Sequence, residues 1–384
     1  MKHLVCVMFT FLLCAAYAQA AEDYVIELKV RELTSPLVFS PDGKKIVEGC
    51  KDDSVRIWDA GTGTELHELE GHTEWLFSAA FSPDSKKIIT ASKDGIVRIW
   101  NTKSGKELQK LEGHTNFLLF AVFSPDGKKI VTAGADGTVR TWDVESGKEL
   151  HKTEGKSPVF EILLSSDGKK IAIHWTNIND GFQIIDVDSG NTLKKWSVMW
   201  SAPTSIVAFS TNEVTAAIGN GESRIIWNVD SEGEEPEARH KSIGKILQEH
   251  PHRVLATKFF SSEKKVITVD ENCMARIWDV ESGRELQKLD GLMSEDNPAG
   301  NNKFANLAIM VSSDEKQIAT ANTNNSTTIQ IWDRETGKIL QTPTGYFVAF
   351  SPDGKKVISK SNSETFHIWD LEKMPPSLPA MRDF

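Results

Sequence analysis

Two successive stretches of the chain carry a hydroxyl, an imidazole and a carboxylate at matching spacing. The first set is His72, Thr90, Asp94 and the nearby Trp100, and the second is His114, Thr132, Asp136 and Trp142. These groups could form a nucleophilic site, in which a base activates a hydroxyl and an acid orients the base. One active site needs only one set, so the repetition favours a structural role. We therefore expect no catalytic residue and no enzymatic activity.

A second candidate for chemistry is the segment HPHR, residues 250–253. Two imidazoles two residues apart can share a metal ion, but a zinc site needs three or four protein ligands. No carboxylate or thiol at suitable spacing completes the set. We expect no metal site and no cofactor.

The elements that must position these side chains recur along the chain. Segments related to FSPDGKKI begin at residues 39, 81, 123, 164, 209, 260, 311 and 350, and strand-like segments finish on Trp-Asp or a related pair at residues 59, 101, 143, 186, 228, 279, 333 and 370. Each unit contains four short apolar runs separated by turn sequences. A four-stranded sheet that is apolar on both faces must stack against neighbours, so the repeat predicts blades around an axis.

The Gly71-His72 and Gly113-His114 pairs, the SPDG turns and the terminal Trp-Asp resemble the WD-repeat family over nearly the whole chain after Ala21. The resemblance implies an all-β fold, a WD-repeat β-propeller of four-stranded blades. Eight units predict eight blades, whereas seven is the commonest number in the family and stays the alternative. The resemblance also implies that the His, Thr, Asp and Trp of each complete unit form structural tetrads, hydrogen-bonded chains that hold loops together.

The ends of the chain indicate how the ring closes. After Trp369-Asp370 the last unit has no fourth strand, whereas residues 24–33, YVIELKVREL, are strand-like and precede the first unit. The resemblance implies that this N-terminal strand completes the last blade. We predict a single propeller over residues 21–374 and a Pro-rich tail over residues 375–384.

The first twenty residues predict export. Lys2 precedes an apolar run from Leu4 to Ala16, and Ala18-Gln19-Ala20 follows, which is the pattern of a secretory signal peptide. The run is shorter than the ~20 residues that a membrane span needs. Residues 1–20 are therefore expected to be removed, leaving a periplasmic or secreted protein with no membrane span in the mature chain. An uncleaved anchor is the alternative.

The charge of the chain excludes one class of partner. A formal net charge of −10 disfavours binding to nucleic acid, which requires a basic surface. Lysine pairs such as Lys44-Lys45 recur in the first turn of most units, but acids such as Glu145 and Asp188 lie in other turns of the same rim. Charges mixed in this way favour a solvated rim over a polyanion site.

The opposite rim, where the Gly-His loops lie, is the predicted partner site. The third residue after the His is Trp75, Phe117 or Arg253 in different units, and Lys93 precedes the turn Asp in unit two. The WD resemblance implies ligand contacts at these positions, and large aromatics and Arg dominate binding energy at interfaces. We predict a monomeric scaffold that binds a protein or peptide there. The alternative role of Trp75 and Phe117 is packing between blades.

A different class of function would use the central channel, as an exported propeller enzyme or a small-molecule binder does. The expected innermost strands are mostly apolar, with Glu161 the lone charge in the segments WLFSAAF, FLLFAVF and PVFEILL. The exported FSPDGKK repeats also resemble the periplasmic propeller of the Tol system, which implies a cell-envelope assembly role as a special case of the scaffold. Two insertions, residues 230–240 and 290–304, are expected in the loops that enter units six and seven.

Overall fold

The computed structural model describes most of the repeated region. The described residues are 25–29, 37–50, 52–165, 167–177, 181–196, 205–206, 215–219, 224–228, 244–246, 254–260, 265–270, 274–279, 282, 284–289, 307–312, 314–322, 329–361 and 365–374. The predicted signal peptide at residues 1–20, the tail at residues 375–384 and the predicted contact residue Arg253 lie outside them.

The strands form eight four-stranded sheets, here called blades 1–8, each built from antiparallel neighbours. Strand β1 is Val25–Lys29. Blade 1 contains β2 to β5, which are Val38–Phe39, Lys45–Gly49, Val55–Asp59 and Glu65–Leu69. Blade 2 contains β6 to β9, which are Leu76–Phe81, Lys87–Ser92, Val97–Asn101 and Glu107–Leu111. Blade 3 contains β10 to β13, which are Leu118–Phe123, Lys129–Gly134, Thr138–Asp143 and Glu149–Glu154. Blade 4 contains β14 to β17, which are Val159–Leu164, Lys170–Trp175, Phe182–Asp186 and Thr192–Trp196.

The second half of the chain continues the pattern. Blade 5 contains β18 to β21, which are Ser205–Ile206, Thr215–Gly219, Arg224–Asn228 and Gly244–Ile246. Blade 6 contains β22 to β25, which are Val254–Phe259, Lys265–Asp270, Ala275–Asp279 and Glu285–Leu289. Blade 7 contains β26 to β29, which are Leu307–Val311, Gln317–Asn322, Ile329–Asp333 and Ile339–Gln341. Blade 8 contains β30 to β32, which are Tyr346–Phe350, Lys356–Lys360 and Thr365–Asp370. The all-β prediction is confirmed, and the sheets are consistent with eight blades.

The N-terminal strand completes blade 8, as predicted. β1 lies antiparallel to β32, with Val25 opposite Trp369 and Lys29 opposite Thr365. Leu28 is fully buried among the side chains between blades 8 and 1. The first strand of the chain is therefore hydrogen-bonded to the last, which closes the ring.

The turn sequences are hydrogen-bonded locally. In the SPDS turn, Ser82 Oγ donates to Asp84 Oδ1 at 2.6 Å, and that oxygen also accepts from the Lys86 amide at 3.0 Å. In the turn after β12, Asp143 Oδ1 accepts from the amide and the hydroxyl of Ser146. Because the side chains satisfy the turn backbone, each turn forms from its own residues.

The core consists of separate layers between neighbouring blades. Trp100 lies in the layer between blades 1 and 2, and Trp142 lies in the layer between blades 2 and 3. Trp332 and Trp369 occupy the corresponding layers between blades 6 and 7 and between blades 7 and 8. The terminal tryptophan of each of these units therefore packs against the preceding blade, which is why a single unit cannot fold alone.

The outer strands are joined by a side-chain clasp that the sequence did not reveal. His67, Gln109 and His151 each reach the backbone carbonyl of a turn in the next blade, at Lys103, Glu145 and Asp188. The clasp needs glycine beneath it: Gly147 has φ +67°, and a Cβ there would lie 3.1 Å from Gln109. Blades 1 to 4 are thus bonded in succession at their outer edges.

The predicted position of the first insertion is wrong. Residues 230–240 fall between β20 and β21, the two outer strands of blade 5, and not in the loop that enters blade 6. The second insertion, residues 290–304, joins β25 to β26 and so enters blade 7 as expected. Within the described residues, no helix is long and apolar enough to cross a membrane.

Candidate functional site

The structure brings the four polar residues of blade 2 together. The Trp100 indole N–H donates to Thr90 Oγ1 at 2.8 Å, and Thr90 Oγ1 lies 2.7 Å from His72 Nε2. His72 Nδ1 lies 2.8 Å from Asp94 Oδ2. One proton arrangement links the four tetrad residues: Thr90 donates to His72 Nε2, and His72 Nδ1 donates to Asp94. The tetrad therefore ties the Gly-His loop to the turn that carries Asp94.

Blade 3 repeats this geometry with nearly the same distances. Trp142 donates to Thr132 at 2.9 Å, Thr132 lies 2.8 Å from His114 Nε2, and His114 Nδ1 lies 2.9 Å from Asp136 Oδ2. Asp136 also accepts from the Thr115 amide at 3.1 Å. The carboxylate therefore holds the loop backbone as well as the imidazole.

Electrostatics keep each tetrad in one protonation state. Burial lowers the pKa of His72 and of His114, so both imidazoles are neutral near pH 7. Burial opposes ionisation of Asp94, but the hydrogen bonds from His72 and from the Ile96 amide, together with the charge of Arg98, lower the pKa of Asp94 to about 2. Thr90 and Thr132 are fully buried, so neither hydroxyl can reach a substrate. The arrangement is suited to holding loops together.

The hydrogen bond from the tryptophan indole is also present in blades whose other tetrad residues differ. The indole N–H donates to a middle-strand side chain in three further blades, with the pairs Trp278 to Thr268, Trp332 to Thr320 and Trp369 to Ser359. His250 and Asn272 of unit six lie outside the described residues. The indole contact is thus the most widely repeated part of the tetrad.

Blade 1 replaces the hydroxyl with a buried carboxyl group. Trp58 donates to Glu48 Oε2 at 2.6 Å, and the Cys50 thiol donates to Glu48 Oε1 at 3.2 Å. Burial raises the pKa of Glu48 to about 7, in spite of the hydrogen bonds from Cys50 and Trp58, and burial also raises the pKa of Cys50 to about 12. Arg56 contacts Cys50 and pairs with Asp52, at 2.7 and 3.0 Å. The side chain of Glu48 therefore sits near the boundary between its neutral and charged forms at neutral pH.

Blade 4 takes its tryptophan from a different strand. Ile185 stands where the other units have Trp, facing Ile171 across the sheet. Trp175 at the end of β15 is buried, and a Cβ on Gly155 would lie 2.4 Å from its ring. The equivalent distance in blade 3 is 3.2 Å, from Gly113 to Trp142. The indole of Trp175 thus covers the loop glycine in place of the missing side chain.

Of the predicted partner-contact residues, Trp75 and Lys93 are both exposed. Trp75 is 49% exposed, and its backbone carbonyl accepts from the Lys93 amide at 2.8 Å. Lys93 Nζ lies 5.8 Å from the centre of the indole ring and 3.1 Å from Glu74 Oε2. Trp75 and Lys93 are therefore neighbours on the rim, with the lysine charge balanced by Glu74.

Phe117 lies partly buried at the start of blade 3, next to another aromatic side chain. Its ring lies 6.0 Å from that of Phe77, centre to centre. Phe77 is 36% exposed and is the extra residue of a bulge between Leu76 and Ser78, where β6 and β7 lose register. Because a bulge re-aims a side chain, strand alternation alone could not identify Phe77. Phe117 therefore both packs between blades and remains accessible.

A second aromatic group lies on the inner strands of blade 4. Phe160, 51% exposed, contacts His174 edge-on at 5.0 Å, and His174 stacks on Phe182 at 4.2 Å. Glu161 stands directly opposite His174 between β14 and β15. Burial lowers the pKa of His174 to about 4, so the imidazole is neutral at pH 7. The cross-strand position of His174 beside Glu161 was not anticipated.

The lysine-bearing rim is balanced by acids. Lys86 Nζ lies 3.6 Å from Asp84, Lys355 lies 2.8 Å from Glu372, and Lys129 pairs with Asp188 across blades. These pairs agree with a solvated rim of mixed charge. In the part of the chain that the structure describes, no three His, Cys, Asp or Glu side chains are grouped to hold a metal ion.

The role of the tetrad hydroxyl can be measured by Thr132→Val. This isosteric change leaves the Trp142 N–H and His114 Nε2 buried without their partner, and it is expected to lower the free energy of unfolding by about 2–4 kcal/mol. Urea denaturation of the mature protein gives the value. Thr141→Val is the matched control, because Thr141 is also buried in blade 3 but lies outside the tetrad. Equal losses in the two variants would contradict the structural role.

Comparison with protein families supports this architecture. The family model described as the IFT122 first beta-propeller matches residues 34–296, which is more than half of the chain. The match begins just before β2 and continues beyond blade 6.

Similar curated proteins match only short segments. A probable serine/threonine-protein kinase, PkwA, from Thermomonospora curvata is 45% identical over 40 residues, which are 10% of this chain and 5% of that protein. An uncharacterized WD repeat-containing protein, alr3466, from Nostoc sp. is 38% identical over 55 residues, which are 14% of this chain and 4% of that protein. The chain thus spans only a small part of both relatives.

Among solved structures, the crystal structure of the computationally designed Ika8 protein is similar to this one. Its TM-score is 0.69 with 22% sequence identity, and the match covers 90% of this chain and 99% of that chain. At this identity the likeness concerns the fold alone.

Proposed function

The chain belongs to the WD-repeat β-propeller family, through its match to the IFT122 first beta-propeller, and on this premise we propose that it is a protein-interaction scaffold. Its partner is a protein or peptide bound on the rim that carries the Gly-His loops. The protein acts without catalysis, as an exported monomer, in a periplasm or outside the cell. A cell-envelope assembly role is the special case that the repeat style favours.

The observation that carries this proposal is the exposure of Trp75 beside a rigid loop. The indole is half exposed on a polar rim, and Trp is one of the residue types enriched among those that dominate binding energy at interfaces. The loop is held by the His72 tetrad, so little conformational entropy is lost on binding. Phe77 and Phe117 add apolar area on the neighbouring blade.

The proposal is tested by crosslinking capture from the native envelope fraction. The double variant Trp75→Ala/Phe117→Ala is expected to lose at least tenfold of the captured partner relative to wild type, since aromatic anchors carry about 2 kcal/mol or more at interfaces. The control is Leu108→Ala, which removes a side chain of similar exposure, 48%, from outer strand β9. Folding of every variant is verified by its melting temperature. Unchanged capture by the double variant would refute rim binding.

The channel is the second candidate, as the site of a small-molecule binder or enzyme. The observation that favours it is the neutral His174 beside Glu161, next to the exposed ring of Phe160. A carboxylate, an imidazole and an aromatic face together could orient a small polar ligand. A thermal-shift screen of metabolites on the wild type and on Glu161→Gln would support this candidate if a stabilising compound lost its effect in the variant.

A further inference from the structure

Phe77 and Phe117 meet across the junction of blades 2 and 3, and together with the exposed Trp75 they are here called the aromatic patch. Trp75 immediately precedes β6, Phe117 immediately precedes β10, and Phe77 is turned outward by its bulge. The Phe77 and Phe117 rings are in contact across the blade boundary at 6.0 Å. The aromatic patch thus belongs to the rim of the proposed partner site. The charged side chains around it determine which kind of ligand it attracts.

The exposed charges beside the patch leave a surplus of acid. Lys93 is neutralised by Glu74 at 3.1 Å. Glu70 and Glu112 are exposed at equivalent positions, each directly before the glycine of a Gly-His loop. Neither carboxylate forms an ion pair with any residue that the structure describes. The carboxylates beside the patch are therefore available to a cationic partner.

The buried charges of this rim do not alter that balance. Asp94 and Asp136 are held by their tetrad histidines, and the guanidinium groups behind them are also paired. Arg98 contacts Asp94 and Glu107, and Arg140 contacts Glu149. The exposed Lys110 lies 3.8 Å from Glu107, so Glu70 and Glu112 are the carboxylates of these two loops that have no ion pair with a described residue.

The opposite rim of blade 2 has the reverse character. Lys86, Lys103 and Lys106 lie in its two turns and Lys87 begins β7, with Asp84 as the acid among them. A charged peptide would therefore distinguish the two ends of blade 2, since complementary charge selects partner and orientation.

We propose that the aromatic patch binds a cationic segment of a partner protein, in which Lys or Arg residues flank a large apolar side chain. This inference rests on the proposed rim function and names the chemistry of its partner. The apolar side chain packs on Phe77, Phe117 and Trp75, and the flanking cations meet Glu70 and Glu112. Each glutamate stands five positions before the aromatic residue of its loop, a span of at most ~18 Å, which about five extended peptide residues match.

The test uses a phage-displayed library of random 12-residue peptides, panned on the purified mature protein. Peptides that combine basic residues with an aromatic or large aliphatic residue are expected to be enriched. The affinity of the most enriched peptide is then measured by fluorescence anisotropy. Glu70→Gln/Glu112→Gln is expected to weaken it about fivefold, consistent with two exposed charge pairs, and higher salt is expected to weaken it further.

The matched control removes the same charge from the opposite rim. Glu145→Gln/Glu335→Gln changes two exposed glutamates in the turns that follow β12 and β28. Affinity within twofold of wild type for this control, together with the loss in Glu70→Gln/Glu112→Gln, supports the proposal. Equal losses in both double variants would indicate a response to net charge alone and would overturn it.

The remaining outcomes separate this inference from the proposed function. Enrichment of acidic or uncharged peptides that still require Trp75 and Phe117 would overturn the cationic partner and leave rim binding intact. Basic peptides that bind Trp75→Ala/Phe117→Ala as well as wild type would place binding elsewhere and contradict both. Absence of any enriched peptide would also overturn the cationic-segment proposal, while envelope capture still decides rim binding.

Discussion

Removal of residues 24–33 from the mature protein is expected to lower the melting temperature by more than ten degrees, whereas removal of residues 375–384 changes it little. The N-terminal segment includes β1, which forms the outer edge of blade 8 through its ladder with β32. Its loss exposes β32 and uncovers the layer between blades 8 and 1. The fully buried Leu28 is lost together with the partly buried Val25 and Ile26, and full burial of one such side chain contributes about 1.5–3 kcal/mol.

A single substitution tests the closure if the truncated protein does not fold. Leu28 is fully buried against Phe366 and Ile368 of blade 8 and against Leu37 of blade 1. Leu28→Ala is expected to lower the free energy of unfolding by about 2–5 kcal/mol. Glu27→Ala is the control, because Glu27 precedes Leu28 in the same strand and its side chain is exposed. Equal melting temperatures for the two truncations, or equal losses in the two substitutions, would refute closure by β1.

Glu48→Gln is expected to stabilise the protein at pH 8 and to leave its stability at pH 5 nearly unchanged. The pKa of Glu48 is raised by burial from 4.5 to about 7. A raised pKa means that the fold favours the protonated carboxyl, so this stability is complete below about pH 4.5 and is lost as the pH rises to 7 and above. A shift of this size corresponds to roughly 3 kcal/mol at pH 8. Glutamine stays neutral and removes that cost.

The surroundings of Glu48 explain why no cation cancels the effect. Its own contacts are the Trp58 indole and the Cys50 thiol. The nearest guanidinium, Arg56, is bound to Asp52 and Glu68, at 3.0 and 2.5 Å, and lies 3.6 Å from Glu65. The positive charge of Arg56 is therefore shared among exposed carboxylates on the turn and on β5.

The measurement is urea denaturation of wild type and Glu48→Gln between pH 5 and pH 8. Glu112→Gln serves as the control, because it makes the same chemical change at an exposed carboxylate. The tetrad histidines change the stability with pH in the opposite direction. Because burial lowers their pKa values, they contribute stability that is present above about pH 6.5 and is lost as the pH falls. If the free energies of unfolding of wild type and Glu48→Gln differ by the same amount at pH 5 and at pH 8, the raised pKa of Glu48 is contradicted.

Repetition made much of the fold predictable. The FSPDG turns and Trp-Asp ends recur because each turn is bonded within a few residues, as at Ser82 and Asp84. The closing strand was also predictable, because the last unit lacked its fourth strand and the family resemblance implied that the N-terminal strand supplies it. Export, the signal peptide and the absence of catalysis stay predictions.

Departures from the repeat were harder to interpret from sequence. Glu48 stands 42 residues before Thr90, and this spacing was the available signal that a carboxyl replaces the tetrad hydroxyl. In blade 4, Trp175 on β15 covers the loop glycine in place of the tryptophan that Ile185 replaces on β16. The spacing of residues within the third strand of each unit cannot reveal a tryptophan on the second strand. Phe77 was missed because its bulge breaks the alternation on which strand faces are assigned.

The sequence by itself determined the elements whose bonds are local: the four-stranded units, their turns and the tetrad residues that recur at one spacing. The tertiary structure decided what depends on neighbouring blades. The contact of Phe77 with Phe117 and the clasp of Gln109 on the turn at Glu145 both join residues of different units. Such contacts depend on the angle and distance between stacked sheets, which no repeat within one sheet specifies.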